Sequence, residues 1–171
     1  MSFAEIKPEE LKDNPFDLIG KQWMLISAGD EEKCNTMTAS WGGLGFIWNR
    51  PVAFVLVRPN RHTRRFIDEQ ESLTLTFLPE QYREALTYAG RHSGRDVDKV
   101  AATGLVPMLT PGGLVSFEDA DLVLECRKLF VTQMQQQDFL HWSELTPRFY
   151  AEDNPLHRLY ICEITGCHVR G

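Results

Sequence analysis

The chain has 171 residues, a formal net charge of −6, 43% hydrophobic and 25% charged residues. That length suits a domain with a sizeable core, and the acidic balance excludes general nucleic-acid binding, which needs a basic field. No apolar run approaches the roughly 20 residues of a membrane span, and residues 1–11 carry Glu5, Lys7, Glu9 and Glu10 in place of a signal-peptide core.

Cys34, Cys126, Cys162 and Cys167 are scattered, with no Cys-x-x-Cys pair. Cys162 and Cys167 lie five apart in a strand-like segment. That spacing predicts opposite faces, and neither a zinc knuckle nor a close disulfide. Reduced thiols in a cytoplasmic protein are the expectation.

Residues 1–16 read as a polar arm ending at Asn14-Pro15. A first strand is expected over 22–28, a turn at Gly29-Asp30-Glu31-Glu32 and a second strand over 33–41. Gly42, Gly43 and Gly45 loosen the chain before Phe46-Ile47-Trp48, and Asn49-Arg50-Pro51 reads as a turn. The apolar run 52–58 is a buried strand. Thr63 is placed to N-cap a short helix over 64–70. Residues 72–78 alternate, with Leu73, Leu75 and Phe77 on one face and Thr74 and Thr76 on the other.

Pro79 opens a helix closed by Gly90, and a short helix over 98–103 ends at Gly104. Residues 105–113, with two prolines and two glycines, read as loop, and 116–118 as a short strand at most. A long strand covers 122–134, a polar irregular segment with one helical turn at 138–142 covers 135–154, and a last strand covers 158–169. Six strands that do not alternate regularly with helices predict a mainly β fold. The expected form is an antiparallel barrel with short α insertions, in a single domain over 1–171 with residues 1–15 as an arm.

Three stretches concentrate side chains suited to chemistry. In Cys34-Asn35-Thr36-Met37-Thr38-Ala39-Ser40-Trp41-Gly42-Gly43, small residues replace the bulky ones of a core strand. Thr36, Thr38 and Ser40 recur with period two and share a face, offering three hydroxyls and approachable amides to a planar polar ligand. A solvated edge strand explains this stretch equally well.

The second stretch, Arg58-Pro59-Asn60-Arg61-His62-Thr63-Arg64, follows a buried strand and opens a helix. It joins free amides to guanidinium forks that suit phosphate oxygens. A solvated basic loop is the even alternative. The third is Gly90-Arg91-His92-Ser93-Gly94-Arg95-Asp96-Val97-Asp98-Lys99. Asp96 is a candidate helix cap, and Lys99 in the first helical turn opposes the helix dipole, which a bound anion would offset. A capped loop with surface charges is the alternative.

No Gly-x-Gly-x-x-Gly follows a strand, since Gly42-Gly43-Leu44-Gly45 has the wrong spacing for a Rossmann site. No nucleophile elbow or Ser-His-Asp order is visible, and no His, Cys and carboxylate set has metal-ligand spacing. Glu118, Asp119 and Asp121 read as an exposed turn, His157 as a lone histidine near the last strand, and Cys34 as a small buried apolar residue.

Together the three stretches resemble the flavin reductase-like family of FMN-binding split barrels, which includes flavoredoxin-type proteins. The matching residues are Asn35-x-Met37-Thr38-x-Ser40-Trp41-Gly42, then Arg58-Pro59-x-Arg61-x-Thr63, then Gly90-x-x-Ser93-Gly94-Arg95-Asp96-x-Asp98-Lys99. Agreement continues at Glu125-Cys126 and His157-Arg158-x-Tyr160-Ile161-x-Glu163-Ile164, and departs at Cys162, where many relatives have glycine. The resemblance spans residues 15 to 169.

It implies a six-stranded Greek-key split barrel and a homodimer holding FMN near the subunit interface. Carried over residue by residue, Asn35, Thr36, Met37, Thr38, Ala39, Ser40 and Trp41 would line the ring and ribityl chain. Arg58, Arg61 and Thr63 would face the phosphate, and Ser93, Gly94 and Lys99 would complete the pocket. The implied activity moves electrons from NADH or NADPH through FMN to free flavin, ferric iron or a partner protein. No catalytic acid or base is assigned, because the cofactor carries the chemistry. The alternatives are an FMN electron carrier without dinucleotide activity of its own and a non-enzymatic dimeric binding barrel.

Overall fold

The computed structural model describes residues 3–151 and 154–171. Residues 1–2 of the expected arm and 152–153 of the expected irregular segment lie outside the described residues. The strands are β1 (Phe3–Ile6), β2 (Met24–Gly29), β3 (Cys34–Ala39), β4 (Gly42–Ile47), β5 (Arg50–Val57), β6 (Ser72–Phe77), β7 (Pro107–Leu109), β8 (Val115–Phe117), β9 (Leu122–Gln133) and β10 (Arg158–Arg170). The helices are α1 (Pro15–Asp17), α2 (Thr63–Glu69), α3 (Arg83–Arg91), α4 (Lys99–Thr103) and α5 (Trp142–Phe149).

Eight strands form one antiparallel sheet in the order β3-β2-β6-β9-β10-β5-β4, with β1 also paired to β10. The length of β10 explains its several neighbours: residues 158–163 pair with β5, and residues 167–170 pair with β1. β3 and β4 follow each other in sequence yet stand at opposite ends of the path, joined by Ser40 and Trp41. The sheet curls until these ends approach, so that a Cβ on Gly42 of β4 would touch Met24 of β2 at 3.4 Å. The seam between β3 and β4 is the split in a mainly β split barrel.

The inward faces fill the barrel. Leu73, Leu75 and Phe77 of β6 are each 1% exposed or less, and burying such side chains contributes about 1.5–3 kcal/mol apiece. A one-residue slip would drive Thr74 and Thr76 into that core, so the register is firmly set. The outward face of the sheet is covered as well. Leu25 and Val123 pack with Ala85, Leu86 and Ala89 of α3 and with Phe117 of β8. Thr74 donates to the Val115 carbonyl and Thr76 bonds Ser116, which satisfies both hydroxyls under that layer.

All six expected strands form, but several local expectations fail for tertiary reasons. Gly90 lies inside α3 and does not close it; His92 is the cap. Part of the polar arm is β1, an edge partner for the end of β10. The glycine-rich 42–45 stretch is not loose: it belongs to β4, where the Phe54 ring lies across Gly43 and Gly45. The following turn is Trp48–Asn49, with φ of 52° and 57°, and Pro51 sits inside β5. Positive φ at both loop residues suits a two-residue hairpin. The 105–113 loop contains β7, paired with β8. A two-turn helix, α5, occupies the segment expected to be irregular, despite Pro147 within it.

The cysteines also depart from the expected alternation. A bulge at Thr165 shifts the β9–β10 register between Ile164 and Gly166, and the extra residue resets the alternation. Cys162 and Cys167 therefore both enter the barrel core with Cys126, instead of facing opposite ways. Cys34, Cys126, Cys162 and Cys167 are all free thiols. Among the described residues no helix is long and apolar enough to cross a membrane.

Candidate functional site

Three chain turns converge beside the free edge of β3. The first is the connection from β5 to α2, the second is the loop from α3 to α4, and the third is the strap between β9 and β10 that carries α5. Lys99 donates to the Thr36 carbonyl and to the Ala89 carbonyl, both at 2.8 Å. In an antiparallel strand a residue's N–H and C=O point the same way. Thr36 therefore turns its backbone away from β2, and period two gives Thr38 the same aspect.

The expected row of three ligand-facing hydroxyls does not survive. Thr36 Oγ1 accepts from Ser27 Oγ at 2.9 Å, and Thr38 Oγ1 donates to the Leu86 carbonyl of α3. Ser40 alone of the three has no hydrogen-bond partner among the described residues. Thr63 is not the cap of α2 either: His62 holds that position, and Thr63 Oγ1 accepts from Asn35 Nδ2 at 2.8 Å. Asp98, not Asp96, caps α4, accepting from Ala101 N.

What the turns do assemble is positive charge. Arg50, Arg64, Arg65, Arg83, Arg127, Arg158 and Arg170 each lie within ion-pair distance of a carboxylate. Among the described residues five arginines have no such partner: Arg148 on α5, and Arg58, Arg61, Arg91 and Arg95, which together line one pocket of about 270 Å³. His62, His92, Lys99, Thr63, Ser93 and Gly94 line it too, and among the described residues no carboxylate does. The shifts agree in sign. Burial, then Arg58, lowers the Arg61 pKa. Burial, then Arg61, brings Lys99 down to about 8. Burial, then Arg95 and other cations, lowers His62. Such a field favours a bound anion.

A smaller pocket of about 140 Å³ adjoins the first across Met37, Arg58 and Arg61. Thr38, Ala39, Ser40 and Trp41 line it, with Leu56 and His157. The Trp41 ring packs against Phe149 and His157 at centroid distances of 5.0 and 5.1 Å. Tyr150 OH bonds His157 Nδ1 at 3.0 Å, and burial, then Arg58 and Arg61, holds His157 at about 4, neutral at ordinary pH. Arg58 ties the strap down, donating to the Phe149 and Pro155 carbonyls at 2.9 and 3.2 Å.

Eleven of the thirteen expected site residues thus line the paired pockets. Asn35 and Thr36 line instead a neighbouring pocket of about 810 Å³. His157, Arg91 and Arg95 were not singled out as binding residues. Their signal lay in position, one beside the last strand and two within the basic third stretch, and only the folded chain gives it direction. Among the described residues no group of three or more His, Cys, Asp or Glu side chains forms a metal cluster.

The flavin reductase-like domain family matches residues 16–171. The chain belongs to this family. No curated protein matches it. Solved structures agree on the fold of this flavin reductase-like protein. One is an FMN-binding protein from Thermus thermophilus, with a TM-score of 0.67 at 20% identity, over 95% of this chain and 75% of that one. A second is an FMN-binding domain of a flavin reductases-like enzyme from Shewanella baltica, with a TM-score of 0.70 at 17% identity, over 98% and 77%. A third is the flavoredoxin of Methanosarcina acetivorans, with a TM-score of 0.68 at 20% identity, over 87% and 68%. In this flavin reductase-like barrel the paired pockets lie along the edge of β3, at one side of the split.

Proposed function

We propose that this flavin reductase-like protein binds FMN in the paired pockets and works as a flavin reductase-type oxidoreductase. NADH or NADPH is the donor, and free flavin, ferric iron or a partner protein is the acceptor. The observation that carries this reading is the pocket that gathers four arginines without carboxylate partners among the described residues and opens beside a strand of small residues. The residues fit the group. A phosphate requires guanidinium and amide donors without competing carboxylates, which Arg58, Arg61, Arg91 and Arg95 provide. A planar ring requires close backbone and a flat neighbour, which Thr38 to Trp41 provide.

FMN bound there would supply two-electron acceptance from a nicotinamide and onward electron transfer in single or paired steps. The chain's part is to bind, orient and exclude water. Arg61 and Arg58 anchor the charged end, the β3 edge presents backbone amides to the ring, and Trp41 with Phe149 walls off the ring end. Neutral His157 adds a polar group there without adding a charge. The same reading takes residues 1–171 as one such domain, acting as a cytoplasmic homodimer. The four free thiols suit a reducing compartment.

The test is a visible spectrum of the purified protein before and after denaturation, followed by titration with FMN and riboflavin. Released FMN, or saturable FMN binding tighter than that of riboflavin, supports the reading. A colourless protein that ignores FMN ends it.

A further inference from the structure

Two neutral side-chain groups on the pocket of about 140 Å³ have no hydrogen-bond partner among the described residues: the Ser40 hydroxyl and Nε2 of His157. His157 is a buried residue, yet Nε2 is not sealed. Among the described residues the one buried side-chain nitrogen or oxygen without a partner is Arg158 Nε. Nε2 is therefore open to the pocket that His157 lines. The two imidazole nitrogens point in diverging directions, and Nδ1 is turned to the Tyr150 hydroxyl at 3.0 Å. Tyr150 does not line the pocket and stands behind the imidazole.

A neutral imidazole carries one hydrogen, and the bond made by one nitrogen decides what the other offers. Chemistry sets the direction of the Tyr150–His157 bond. Burial raises the Tyr150 pKa, with Arg58 opposing, so the phenol keeps its hydrogen. The lone pair of an imidazole nitrogen accepts better than that of a phenol oxygen, which is shared with the aromatic ring. The phenol is also held in place, with Arg58 Cζ 5.3 Å from its ring centroid and the Phe139 ring at 5.8 Å. We propose that Tyr150 is a positioning residue: its hydroxyl donates to His157 Nδ1 and fixes the tautomer that presents Nε2–H to the pocket beside Ser40 and Trp41. The same bond polarises the imidazole and strengthens Nε2–H as a donor. The consequence rests on the flavin reading above. Reduction adds electron density to the ring, and a fixed donor at its edge favours the reduced ligand over the oxidised one.

Nitrogen-15 NMR of the full chain without ligand reads the tautomer, with the His157 signals identified by their loss in His157→Gln. The parent is expected to carry hydrogen on Nε2 alone, and Tyr150→Phe to show a second population with hydrogen on Nδ1. Hydrogen on Nδ1 in the parent, or a Tyr150→Phe spectrum like that of the parent, would overturn the proposal. The reduction potential of bound FMN is the second readout. Tyr150→Phe is expected to weaken reduced FMN against oxidised FMN by about threefold. His157→Leu is expected to do so about tenfold, a shift of about 30 mV to more negative potential. His157→Gln supplies an amide N–H that needs no tautomer, so in that background Tyr150→Phe is expected to have no further effect. A shift of equal size in both backgrounds would make the role of Tyr150 purely structural and overturn the proposal. A chain that binds no FMN would end the flavin reading, and the tautomer of the ligand-free chain would still decide the role of Tyr150.

Discussion

Gly94 lies directly against the side chain of Asn35. A Cβ on Gly94 would overlap the Asn35 carboxamide, with its carbon only 2.8 Å away. That carboxamide donates to Thr63 Oγ1, so one close approach locks the α3–α4 loop, β3 and the start of α2 together. The contact also forms the wall between the arginine cleft and the larger pocket.

Gly94→Ala should therefore push Asn35 off Thr63. The lost hydrogen bond costs about 1 kcal/mol, visible as a small drop in thermal midpoint. Displaced walls should weaken FMN roughly tenfold or more. FMN affinity equal to that of the parent protein would show that the wall does not shape the cleft.

Arg61 donates to the Gly90 carbonyl at 2.6 Å and faces the cleft with Arg58. A charge-assisted hydrogen bond is worth about 1.5–3 kcal/mol. Arg61→Ala should weaken FMN by roughly 10- to 100-fold and leave riboflavin, which lacks the phosphate, unchanged. Equal losses for both ligands would remove Arg61 from the phosphate end.

Lys99 is 5% exposed and its pKa is pushed down from 10.5 to about 8 by burial and then by Arg61. The unfolded chain then binds more protons between those values, so stability rises with pH from about 8 to 10.5. The rise is on the order of 3 kcal/mol. Lys99→Met should lose that slope and leave the Thr36 and Ala89 carbonyls unpaired. Denaturant unfolding at pH 7.5 and 10 should show the gap between parent and variant widening. A constant gap would contradict the assignment.

His157 is held at about 4, against an ordinary 6.5, by burial and then by Arg58 and Arg61. The unfolded chain again binds the extra proton. This contribution is therefore complete above about 6.5 and is lost as pH falls toward 4. His157 should add no pH dependence to FMN binding above about 6.5, and an imidazole titration followed by NMR should centre near 4. A midpoint near 6.5 would place His157 outside the cationic field.

The strap carrying α5 hangs largely on Arg58, through the Phe149 and Pro155 carbonyls. Arg58→Met should raise amide exchange and protease cleavage over residues 136–151 while β6 and β9 stay protected. Unchanged exchange there would mean that the Trp41–Phe149 contact suffices.

The local patterns were legible where neighbours in sequence decide the outcome. Alternation set the faces of β6, Gly104 closed α4 with a φ of 70°, and the order of three polar stretches marked the family and most of the cleft. Misreadings fell where a distant element decides. The Thr36 and Thr38 hydroxyls look free on an isolated strand, but Ser27 and α3 take them. Lys99 looks like an exposed cation awaiting an anion, yet two backbone carbonyls hold it.

The sequence by itself determined the six principal strands, the acidic background and the clustering of basic residues in two short stretches, because hydrophobic period and charge are properties of adjacent residues. The tertiary structure decided which arginines lack carboxylates, where the bulge at Thr165 turns Cys167, and how Gly94 meets Asn35. Those are distances between residues far apart in the chain, and they exist only once the sheet has curled and its faces are covered.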